Sequence, residues 1–593
     1  MSPRQIRITV GITAAVVLCW LSAPYWGSNG GDDLPVSVAP LSFDGEQAYQ
    51  TAREFVTKNP KRVLGSLEAR QATGFIQDKL IRLGYQVSFR HFDALIAGRR
   101  QVGRNILAFR AGAVPETLAA VAHYDTARTT VEGAMDDGAG VGVLLELARV
   151  FAASSLRRSV LLIATDGEEW GMLGAADIAA YYPERSRIAA VLSLDGVTIG
   201  ELAAFRLDSD GQRSGYSPAW LRRIASGAAA AQGLPVLAAS GFQEDLQRAI
   251  ELSRTDQGPF LTAGIPAINL GSESVDEARV REVYHSAADT ITNLKASSVG
   301  QYGAAAERIL RSIDELPAIP AAAGNAFRWR NDTFVAGRAM TVLHCLAFLP
   351  FLVVLYFGWL RYRSSLTAEA TLREAAFFLS WLAPLGLMYS MILFCRLMRL
   401  LPQNSFYPGP LKDPMLENPA WGVVLAIVGG AAVVGTGLHF LTRYLTRGQP
   451  RSFGASRTVL SFFLLAVVLI ALLFSPYWAT TFLALPALVW ATVERGRSPG
   501  RRVAGALAIL AAGLGFYAAV FFSERSLGTD AGWDLLWYAV LGLSNGMLQW
   551  KGYFLAASAV VLGLRFLSLQ VSRLNASSLP SAPGRGREPH QPA

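Results

Sequence analysis

Beyond Asp332 the chain consists largely of apolar runs, each about as long as a helix that crosses a lipid bilayer. These runs lie near residues 340–360, 376–395, 420–441, 458–475, 478–494, 503–522, 533–549 and 552–571. Hydrophobic residues make up 52% of the 593-residue chain, which exceeds the usual fraction of a soluble globular protein. We therefore expect an all-α multi-pass transmembrane domain of about eight helices over residues 333–572, followed by a disordered tail over 573–593.

Arginines occur in every second short loop between these runs. The three groups are Arg361, Arg363 and Arg373; Arg443, Arg447, Arg451 and Arg457; and Arg495, Arg497, Arg501 and Arg502. Short basic loops stay on the cytoplasmic side, so the net charge of +9 is a topology signal and does not indicate nucleic-acid binding. Counting spans backward places residues 43–316 outside the cytoplasm. High alanine and arginine usage favours a bacterial inner membrane, with residues 43–316 on its periplasmic side.

Residues 1–23 have the layout of an export signal, because Arg4 and Arg7 precede the apolar run Ile8–Leu21. An uncleaved signal anchor is favoured over a cleaved signal peptide, since a clear cleavage site of small residues is missing. Residues 24–42 are rich in Gly, Ser, Asp and Pro, a composition typical of a linker. A signal anchor that starts inside agrees with a soluble domain outside.

Residues 43–316 read as a soluble domain in which strand and helix patterns alternate. Strands are expected at 85–91, 105–110, 118–122, 159–165, 189–194 and 265–271, and helices at 45–57, 68–83, 140–151, 174–181, 218–232 and 298–316. This alternation predicts an α/β fold, a three-layer αβα domain with a mostly parallel sheet and helices on both faces. Residues 317–332, rich in Pro, Ala and Gly, are the expected linker to the membrane domain.

The segment Ser159–Gly174 combines a buried strand with a pair of adjacent carboxylates. Ser159–Thr165 is mostly apolar and β-branched, which is typical of a strand inside a parallel sheet. Glu168 and Glu169 follow it on the loop at the strand end, where ligands bind in open α/β sheets. Two adjacent carboxylates suggest a division of labour in which one holds a metal and the other moves a proton. The alternative is that both simply favour the N-terminal dipole of the next helix.

Four more polar clusters follow other expected strands or sheet loops. They are His123-Tyr124-Asp125, the acidic turn Gly133–Gly140 with Asp136 and Asp137, Asp195, and His285. Asp125 can accept the hydrogen bond that orients His123, and either Asp136 or Asp137 could instead be a helix N-cap. Taken together, these clusters converge on one edge of the predicted sheet.

The donors at this edge are nitrogen and oxygen atoms. The three cysteines, Cys19, Cys345 and Cys395, all lie in apolar stretches and are not available to the soluble domain. A site made of His and carboxylates without Cys suits zinc, or manganese or cobalt.

With these clusters in view, the chain resembles the zinc aminopeptidases of the transferrin-receptor and glutamate-carboxypeptidase superfamily. The resemblance extends over about Arg62–Leu294 and includes, in order, the blocks AHYD, GAMDDGAG, TDGEEWGMLG, LSLDG and VYHSAADT. It implies two zinc ions and a peptide substrate. Asp136 matches the carboxylate that bridges both ions, His123 and Asp195 complete one ligand shell, and Glu169 and His285 complete the other.

The resemblance also assigns catalytic roles. Glu168 matches the general base that moves a proton from water to the leaving amine, and Asp125 matches the residue behind the first histidine ligand. One departure concerns Thr255–Phe260, where many relatives have Ser-Asp-His before Pro-Phe, so the substrate contacts there can differ. His91, outside the matched blocks, is interpreted as structural.

The whole architecture resembles multi-pass members such as the endoplasmic reticulum metallopeptidase and the fungal vacuolar membrane protease. Expected partners are a peptide and the lipid bilayer, without nucleic acid; the oligomeric state stays open. The alternatives are a glutaminyl cyclase with one zinc ion, an inert receptor-like ectodomain, and transport through the membrane half. Intramembrane charges would mark a transport path, but snorkelling at span ends explains most of the candidates, which are Arg338, His344, Arg396, His439 and Arg565.

Overall fold

A computed structural model describes most of the chain. The described residues are 2–26, 34–96, 99–321, 326–330, 333–401, 420–447, 452–493, 498–526, 532–546 and 550–571. The expected tail at 573–593 and parts of the two expected linkers lie outside them.

The strands and helices alternate through the first half of the chain, and the second half is helical. The strands are β1 (Gln86–Ile96), β2 (Arg99–Arg110), β3 (Val114–His123), β4 (Arg158–Thr165), β5 (Ile188–Ser193), β6 (Leu202–Asp208), β7 (Val236–Ala238), β8 (Ala267–Ser274), β9 (Phe327–Arg330) and β10 (Thr333–Val335). The helices of the first half are α1 (Pro3–Trp26), α2 (Gly45–Lys58), α3 (Leu67–Arg82), α4 (Ala139–Ala152), α5 (Leu173–Tyr181), α6 (Ala219–Ala230), α7 (Phe242–Ile250), α8 (Gln257–Thr262), α9 (Glu277–Val283) and α10 (Ala296–Asp314). The later helices are α11 (Gly337–Leu346), α12 (Leu349–Tyr362), α13 (Ala368–Leu397), α14 (Trp421–Leu445), α15 (Phe453–Phe474), α16 (Pro476–Thr492), α17 (Pro499–Ser526), α18 (Gly532–Ser544) and α19 (Trp550–Val571).

Eight strands form one mixed sheet in the order β1-β2-β4-β3-β5-β8-β6-β7. The four central strands, β4, β3, β5 and β8, are parallel to one another, as helical crossovers between them require. β1 and β2 extend one side as an antiparallel hairpin, and β6 pairs antiparallel with β8 on the other. The expected α/β class with a parallel centre is therefore correct, and the flanking strands make the sheet mixed.

Alternate side chains of the central strands pack on opposite faces of the sheet. On β3, Leu118, Ala120 and Ala122 join the core that lies against α2, α4 and α10, while Ala119 and Val121 join the core against α5 and α8. All eight residues of β4 are buried, because this strand has helices on both sides. The sheet between two helical layers is the expected three-layer αβα arrangement.

The structure adds elements that the sequence patterns do not predict. β1 and β2 are longer than expected, since they continue as a hairpin in which Arg99 and Arg100 are exposed, whereas Ala94 and Ile96 are buried in a small cluster with Trp170. β6, β7, α7 and α8 fill the stretch between the expected strands at 189–194 and 265–271. α7 is strongly amphipathic but has only nine residues, a length over which a helical period is hard to tell from a loop.

Six helical segments within the described ranges are long and apolar enough to cross a membrane. They are Pro3–Tyr25, Gly337–Ser365, Ala368–Leu397, Trp421–Leu445, Phe453–Phe474 and Trp550–Val571. Several apolar helices therefore follow the α/β domain, consistent with a multi-pass membrane protein.

The expected span at 533–549 corresponds to α18, which has only 13 residues. At a rise of about 1.5 Å per residue, this helix is roughly 20 Å long and shorter than the bilayer core of about 30 Å. Trp537 and Leu541 of α18 pack against Ile392 near the end of α13 and Val424 near the start of α14. In the described part of the chain, α18 thus lies beside the end of α13 and the start of α14.

The last helix, α19, runs antiparallel to α13. The Tyr553 hydroxyl donates to the carbonyl of Leu385, and Arg565 forms an ion pair of 2.9 Å with the buried Glu374. Arg565 therefore lies beside the start of α13, near a helix end, where Glu374 neutralises its charge. This position agrees with the expectation that Arg565 lies close to the end of a span and does not mark a transport path.

A joint of aromatic and charged residues attaches the α/β domain to the membrane helices. The guanidinium of Arg248, on α7, lies 3.8 Å from the ring centre of Tyr216 and 5.2 Å from that of Tyr477 on α16. His344, on α11, contacts the Tyr477 ring edge-on and makes a 3.0 Å hydrogen bond with the Thr480 hydroxyl. Stacked arginine and aromatic rings of this kind fix both distance and orientation.

A buried carboxylate, Glu244, neutralises the arginines of this joint. It accepts hydrogen bonds from Arg222 at 3.0 Å, from Arg248 at 2.7 Å and from the backbone N–H of Arg328 at 3.0 Å. Glu244 is fully buried, and both arginine side chains are nearly so. The joint therefore depends on one charge that water cannot replace.

Replacing Glu244 with Ala should strongly destabilise the protein, because two buried guanidinium groups lose their counter-charge. The expected loss is about 3–5 kcal/mol, measured as a fall in the unfolding temperature of the full chain in detergent. Glu184→Ala is the matched control, since the Glu184–Arg187 pair is exposed and should be worth at most about 1 kcal/mol. Equal unfolding temperatures for the two variants would contradict this account.

Candidate metal centre

The carboxyl ends of the central strands carry the polar clusters noted in the sequence. His123 is the last residue of β3, Glu168 and Glu169 follow β4, and Asp195 follows β5. Asp136 lies in the turn that precedes α4, and His285 follows α9. The structure brings all six side chains together at one edge of the sheet.

These side chains form two groups that could each hold a metal ion. His123, Glu168 and Asp195 are one group, and Asp136, Glu169 and His285 are the other. Within each group, one donor atom per residue lies within 4.8 Å of the others. Two groups of three donors are the arrangement expected of a centre with two cations.

Asp136 lies between the two histidines. Its Oδ1 atom is 2.9 Å from Nε2 of His123, and its Oδ2 atom is 3.0 Å from Nε2 of His285. The nearest Glu168 oxygen is 4.0 Å from Nε2 of His123, so Glu168 stands further back from this imidazole. One carboxylate of Asp136 therefore reaches both groups with different oxygen atoms.

Two buried residues that the sequence analysis did not identify hold the turn that carries Asp136. Asp289 accepts the backbone N–H groups of Met135 at 2.7 Å and Asp136 at 3.2 Å. Arg62 is fully buried and donates to several backbone carbonyls, including those of Tyr124 and Gly133. Asp289 follows His285 by four residues in the VYHSAADT block, which is the one sequence signal that could have revealed it.

The N-cap residue of α4 is Gly138 and neither aspartate, but Asp137, one residue earlier, supports the start of this helix with its side chain. Its Oδ1 atom accepts the backbone N–H of Gly140 at the start of α4. A Cβ atom on Gly140 would lie 2.2 Å from the Asp137 carboxylate and 2.4 Å from the Leu194 carbonyl, so only glycine fits there. In the acidic turn, the carboxylate of Asp137 therefore bonds to the start of α4, and the carboxylate of Asp136 faces the imidazoles.

Asp125 lies behind His123 and also anchors the two glutamates. Its Oδ1 atom is 3.5 Å from Nδ1 of His123, which is long for a hydrogen bond. The same carboxylate accepts the backbone N–H groups of Glu168 at 3.1 Å and Glu169 at 3.3 Å. One buried side chain therefore positions residues on the ends of two neighbouring strands.

Glu168 lies in surroundings that favour its neutral form. Burial raises the pKa of Glu168 well above its usual range, and the negative charges of Asp195, Asp256 and Glu169 raise it further, whereas His123 lowers it. A carboxyl group whose pKa is raised toward neutrality is suited to exchange protons.

The two histidines respond in the opposite sense. Burial alone lowers the pKa of His285, but the carboxylates of Glu169 and Asp136 outweigh burial and raise it to about 10. Burial likewise lowers the pKa of His123, and Asp125 and Asp136 raise it well above its usual value. Without another cation, the imidazoles therefore carry the positive charge of the centre.

The segment that departs from the family pattern reaches the same region. Asp256 is buried and accepts a 2.5 Å hydrogen bond from the Thr165 hydroxyl at the end of β4. Burial raises the pKa of Asp256 to about 6. The side-chain amide of Gln257 donates a 2.9 Å hydrogen bond to the Ser253 hydroxyl, which closes the loop that carries Asp256. His91 lies away from these side chains on β1, where Arg104 donates to it, as expected of a structural residue.

The donor set fits zinc. Each group offers one imidazole nitrogen and two carboxylates, and no thiolate is among them. Imidazole and carboxylate ligands with positions left for water or substrate are typical of catalytic zinc sites.

Comparison with known proteins gives this region a family. Residues 105–310 match the sequence profile of Peptidase family M28. This range includes both groups of candidate ligands.

Three similar proteins illustrate the range of relatives. Aminopeptidase YwaD of Bacillus subtilis (strain 168) is 26% identical over 193 residues, which are 32% of this chain and 39% of that protein. The vacuolar membrane protease of Clavispora lusitaniae (strain ATCC 42720) is 28% identical over 179 residues, which are 30% of this chain and 16% of that protein. The crystal structure of Porphyromonas gingivalis glutaminyl cyclase has a TM-score of 0.39 and 22% identity, covering 45% of this chain and 98% of that chain. The chain spans about half or less of the length of the curated relatives it matches.

Zinc binding to the metal-free protein should release protons at pH 7, because zinc requires a neutral imidazole and His285 has a pKa of about 10. We expect release of at least about one proton per chain, and an apparent affinity that rises with pH. Calorimetric titration in two buffers with different ionisation enthalpies measures this release.

The variant His285→Gln should release fewer protons, whereas His91→Gln should behave as the unmodified chain does. A binding heat that does not depend on the buffer would contradict the protonated state of His285.

Proposed function

Because residues 105–310 form a Peptidase family M28 domain, a family of zinc metallopeptidases, we propose that the protein is a membrane-anchored aminopeptidase with two zinc ions. It would hydrolyse the N-termini of peptides on the non-cytoplasmic side of the membrane. The observation that carries this proposal is the position of Asp136, whose two oxygen atoms contact two imidazoles from separate donor groups.

In this proposal Asp136 would be a ligand of both ions. His123 and Asp195 would hold one ion, and Glu169 and His285 would hold the other. Asp125 and Asp289 do not touch the ions, but they fix the backbone that carries Glu168, Glu169 and Asp136. Fixed carboxylates at these positions are what a two-metal centre requires of its protein.

Zinc ions bound here would polarise the scissile carbonyl and lower the pKa of a water molecule. Glu168 would accept a proton from the attacking water and deliver it to the nitrogen of the leaving amine. Within the first donor group, its buried carboxylate stands 4.0 Å from Nε2 of His123, and this set-back position together with its raised pKa supports the role. The same position keeps bulk water away from the proton that Glu168 carries.

Two other functions remain as competitors. A glutaminyl cyclase would need one zinc ion, whereas the second donor group of Asp136, Glu169 and His285 supports two. An inert ectodomain is not favoured, because every donor that the resemblance requires is present and in contact range. Metal content per chain separates the cyclase from the peptidase, and turnover of an aminoacyl-anilide separates the peptidase from an inert ectodomain.

Glu168→Gln should keep its metal and lose nearly all hydrolysis, because the amide has the same shape but cannot accept the proton. A loss of about 10²- to 10⁴-fold in kcat is expected with an aminoacyl-anilide, with zinc content measured in parallel. Glu184→Gln, an exposed glutamate of the same domain, is the control and should retain full activity.

Acetylation of the substrate's amino terminus should abolish its turnover by the unmodified chain if the enzyme is an aminopeptidase.

Near-full activity of Glu168→Gln would remove the proton-transfer role from this residue.

The proposed orientation rests on the basic loops and on the antiparallel pair α13 and α19. Arg443 and Arg447 lie at the end of α14, and Arg457 lies at the start of α15, so these arginines share one face of the membrane. Arg565 near the end of α19 pairs with Glu374 near the start of α13. With α18 kept at the opposite face, the chain end after α19 lies on the arginine-rich side, which we assign to the cytoplasm.

Protease added to spheroplasts should therefore remove residues 43–316 and leave reporters inserted after Arg447 and after Ala593 intact. Short-loop arginines resist translocation, which is why both reporters should be protected. Digestion of the reporter after Ala593 alone would make α18 a true span, and digestion of both reporters would reverse the orientation.

A further inference from the structure

A groove of about 320 Å³ runs along α5 and begins at Trp170 and Gly171, which directly follow Glu168 and Glu169 of the candidate metal centre. One wall is the outer face of α5, and the other comes from the loop with Gln212 and Arg213 and from the C-terminal part of α8. Its lining includes Trp170, Gly171, Leu173, Ala176, Ala179, Ala180, Pro259, Thr262 and Ala263. This volume is in the range of sites that bind small ligands or short peptide segments.

One end of the groove is formed by the turn that carries the glutamates of the centre. Trp170 and Gly171 line the groove and directly follow Glu168 and Glu169. The backbone N–H of Gly171 donates to the carbonyl of Glu168 at 2.8 Å, so this end of the groove and the candidate general base belong to one rigid turn.

The membrane domain supplies part of the groove. Asn545, just after α18, is one of the lining residues. Close by, Leu252 of the soluble domain packs against the cluster that contains Trp537, Val540 and Leu541 of α18. The backbone N–H of Arg213 donates to the carbonyl of Glu251 at 2.8 Å, so the polar wall and the segment that contacts α18 are joined. The short helix α18 therefore braces the groove from the membrane side.

The lining has the chemistry that an extended peptide requires. Ala176, Ala179 and Ala180 give one wall a flat surface of small apolar side chains, which leaves room for the side chains of a bound chain. Gln212, Arg213 and Asn545 make the rest of the lining polar, and the side-chain amide of Asn545 donates to the carbonyl of Leu541 at 3.1 Å, which fixes its position. A groove with an apolar floor and a few polar groups binds by burial and selects by hydrogen bonding.

We propose that this groove binds the residues of a peptide substrate that follow the scissile bond, and that Asn545 of the membrane domain is a specificity-determining residue there. The inference rests on the proposed peptidase function. It predicts that peptides of several residues use contacts that a single aminoacyl group with a small leaving group does not use. The membrane domain would then act in substrate selection as well as in anchoring.

The test places tryptophan on each wall of the groove in the full chain. Ala180→Trp is exposed on α5 and can be accommodated without disturbing the core, and Asn545→Trp narrows the groove from the membrane side. We expect each variant to lower kcat/KM for a tetrapeptide by about tenfold or more, chiefly through KM, and to leave an aminoacyl-anilide with the same first residue within about twofold. Tyr181→Trp is the matched control, since Tyr181 is the next residue of α5, is exposed, and is not among the lining residues.

The outcomes separate the groove from the proposed function. Unchanged tetrapeptide kinetics in both tryptophan variants would overturn the proposed role of the groove. An equal loss of kcat/KM for both substrates, with zinc content retained, would overturn it too. If the unmodified chain hydrolyses neither substrate, the proposed function fails. Binding of a fluorescent tetrapeptide to Glu168→Gln then tests the groove directly, because Ala180→Trp added to that variant should raise Kd about tenfold and an unchanged Kd would overturn it.

Discussion

The candidate centre is organised around a concentration of buried negative charge at one edge of the sheet. Asp125, Asp136, Glu168, Asp256 and Asp289 are all buried there. In the protein alone, burial raises the pKa of Asp195 to about 8 and that of Asp289 to about 7. Carboxylates in such surroundings stay ionised only when cations compensate them. Two metal ions would supply that compensation. The buried carboxylates that destabilise the metal-free protein would then stabilise the metal-bound protein.

Several candidate metal ligands could be predicted from the sequence because their positions follow from a local rule. Parallel strands end at one edge, so polar residues just after β3, β4 and β5 must meet there. His123, Glu168 and Asp195 are such residues, and the structure brings them together. Asp289 and Arg62 follow no local rule. Asp289 accepts N–H groups from Met135 and Asp136, more than 150 residues earlier in the chain, and such contacts exist only after folding.

The membrane half shows the same limit on sequence reasoning. Hydropathy alone marks the apolar runs, but it does not separate a crossing helix from a short helix that packs at one face. α18 is apolar enough to be taken for a span, whereas its 13 described residues and its contacts to α13 and α14 support the proposal that it lies at one face. The joint at Arg248 and Tyr477 is likewise formed by residues from distant segments, each of which is unremarkable in its own context. Tertiary contacts, and not composition, decide how the two halves are attached.

Asp125 links the geometry of the centre to its chemistry. Its carboxylate faces the far nitrogen of His123 and accepts the backbone N–H groups of both Glu168 and Glu169. These three residues belong to different parts of the proposed reaction: His123 and Glu169 to separate ions, and Glu168 to proton transfer. A shift of Asp125 would therefore displace His123, Glu168 and Glu169 together. The distances among these three residues would change far less than their positions relative to the rest of the domain. Because general-base catalysis depends on those relative distances, a single shared anchor preserves the reacting geometry better than three independent ones would.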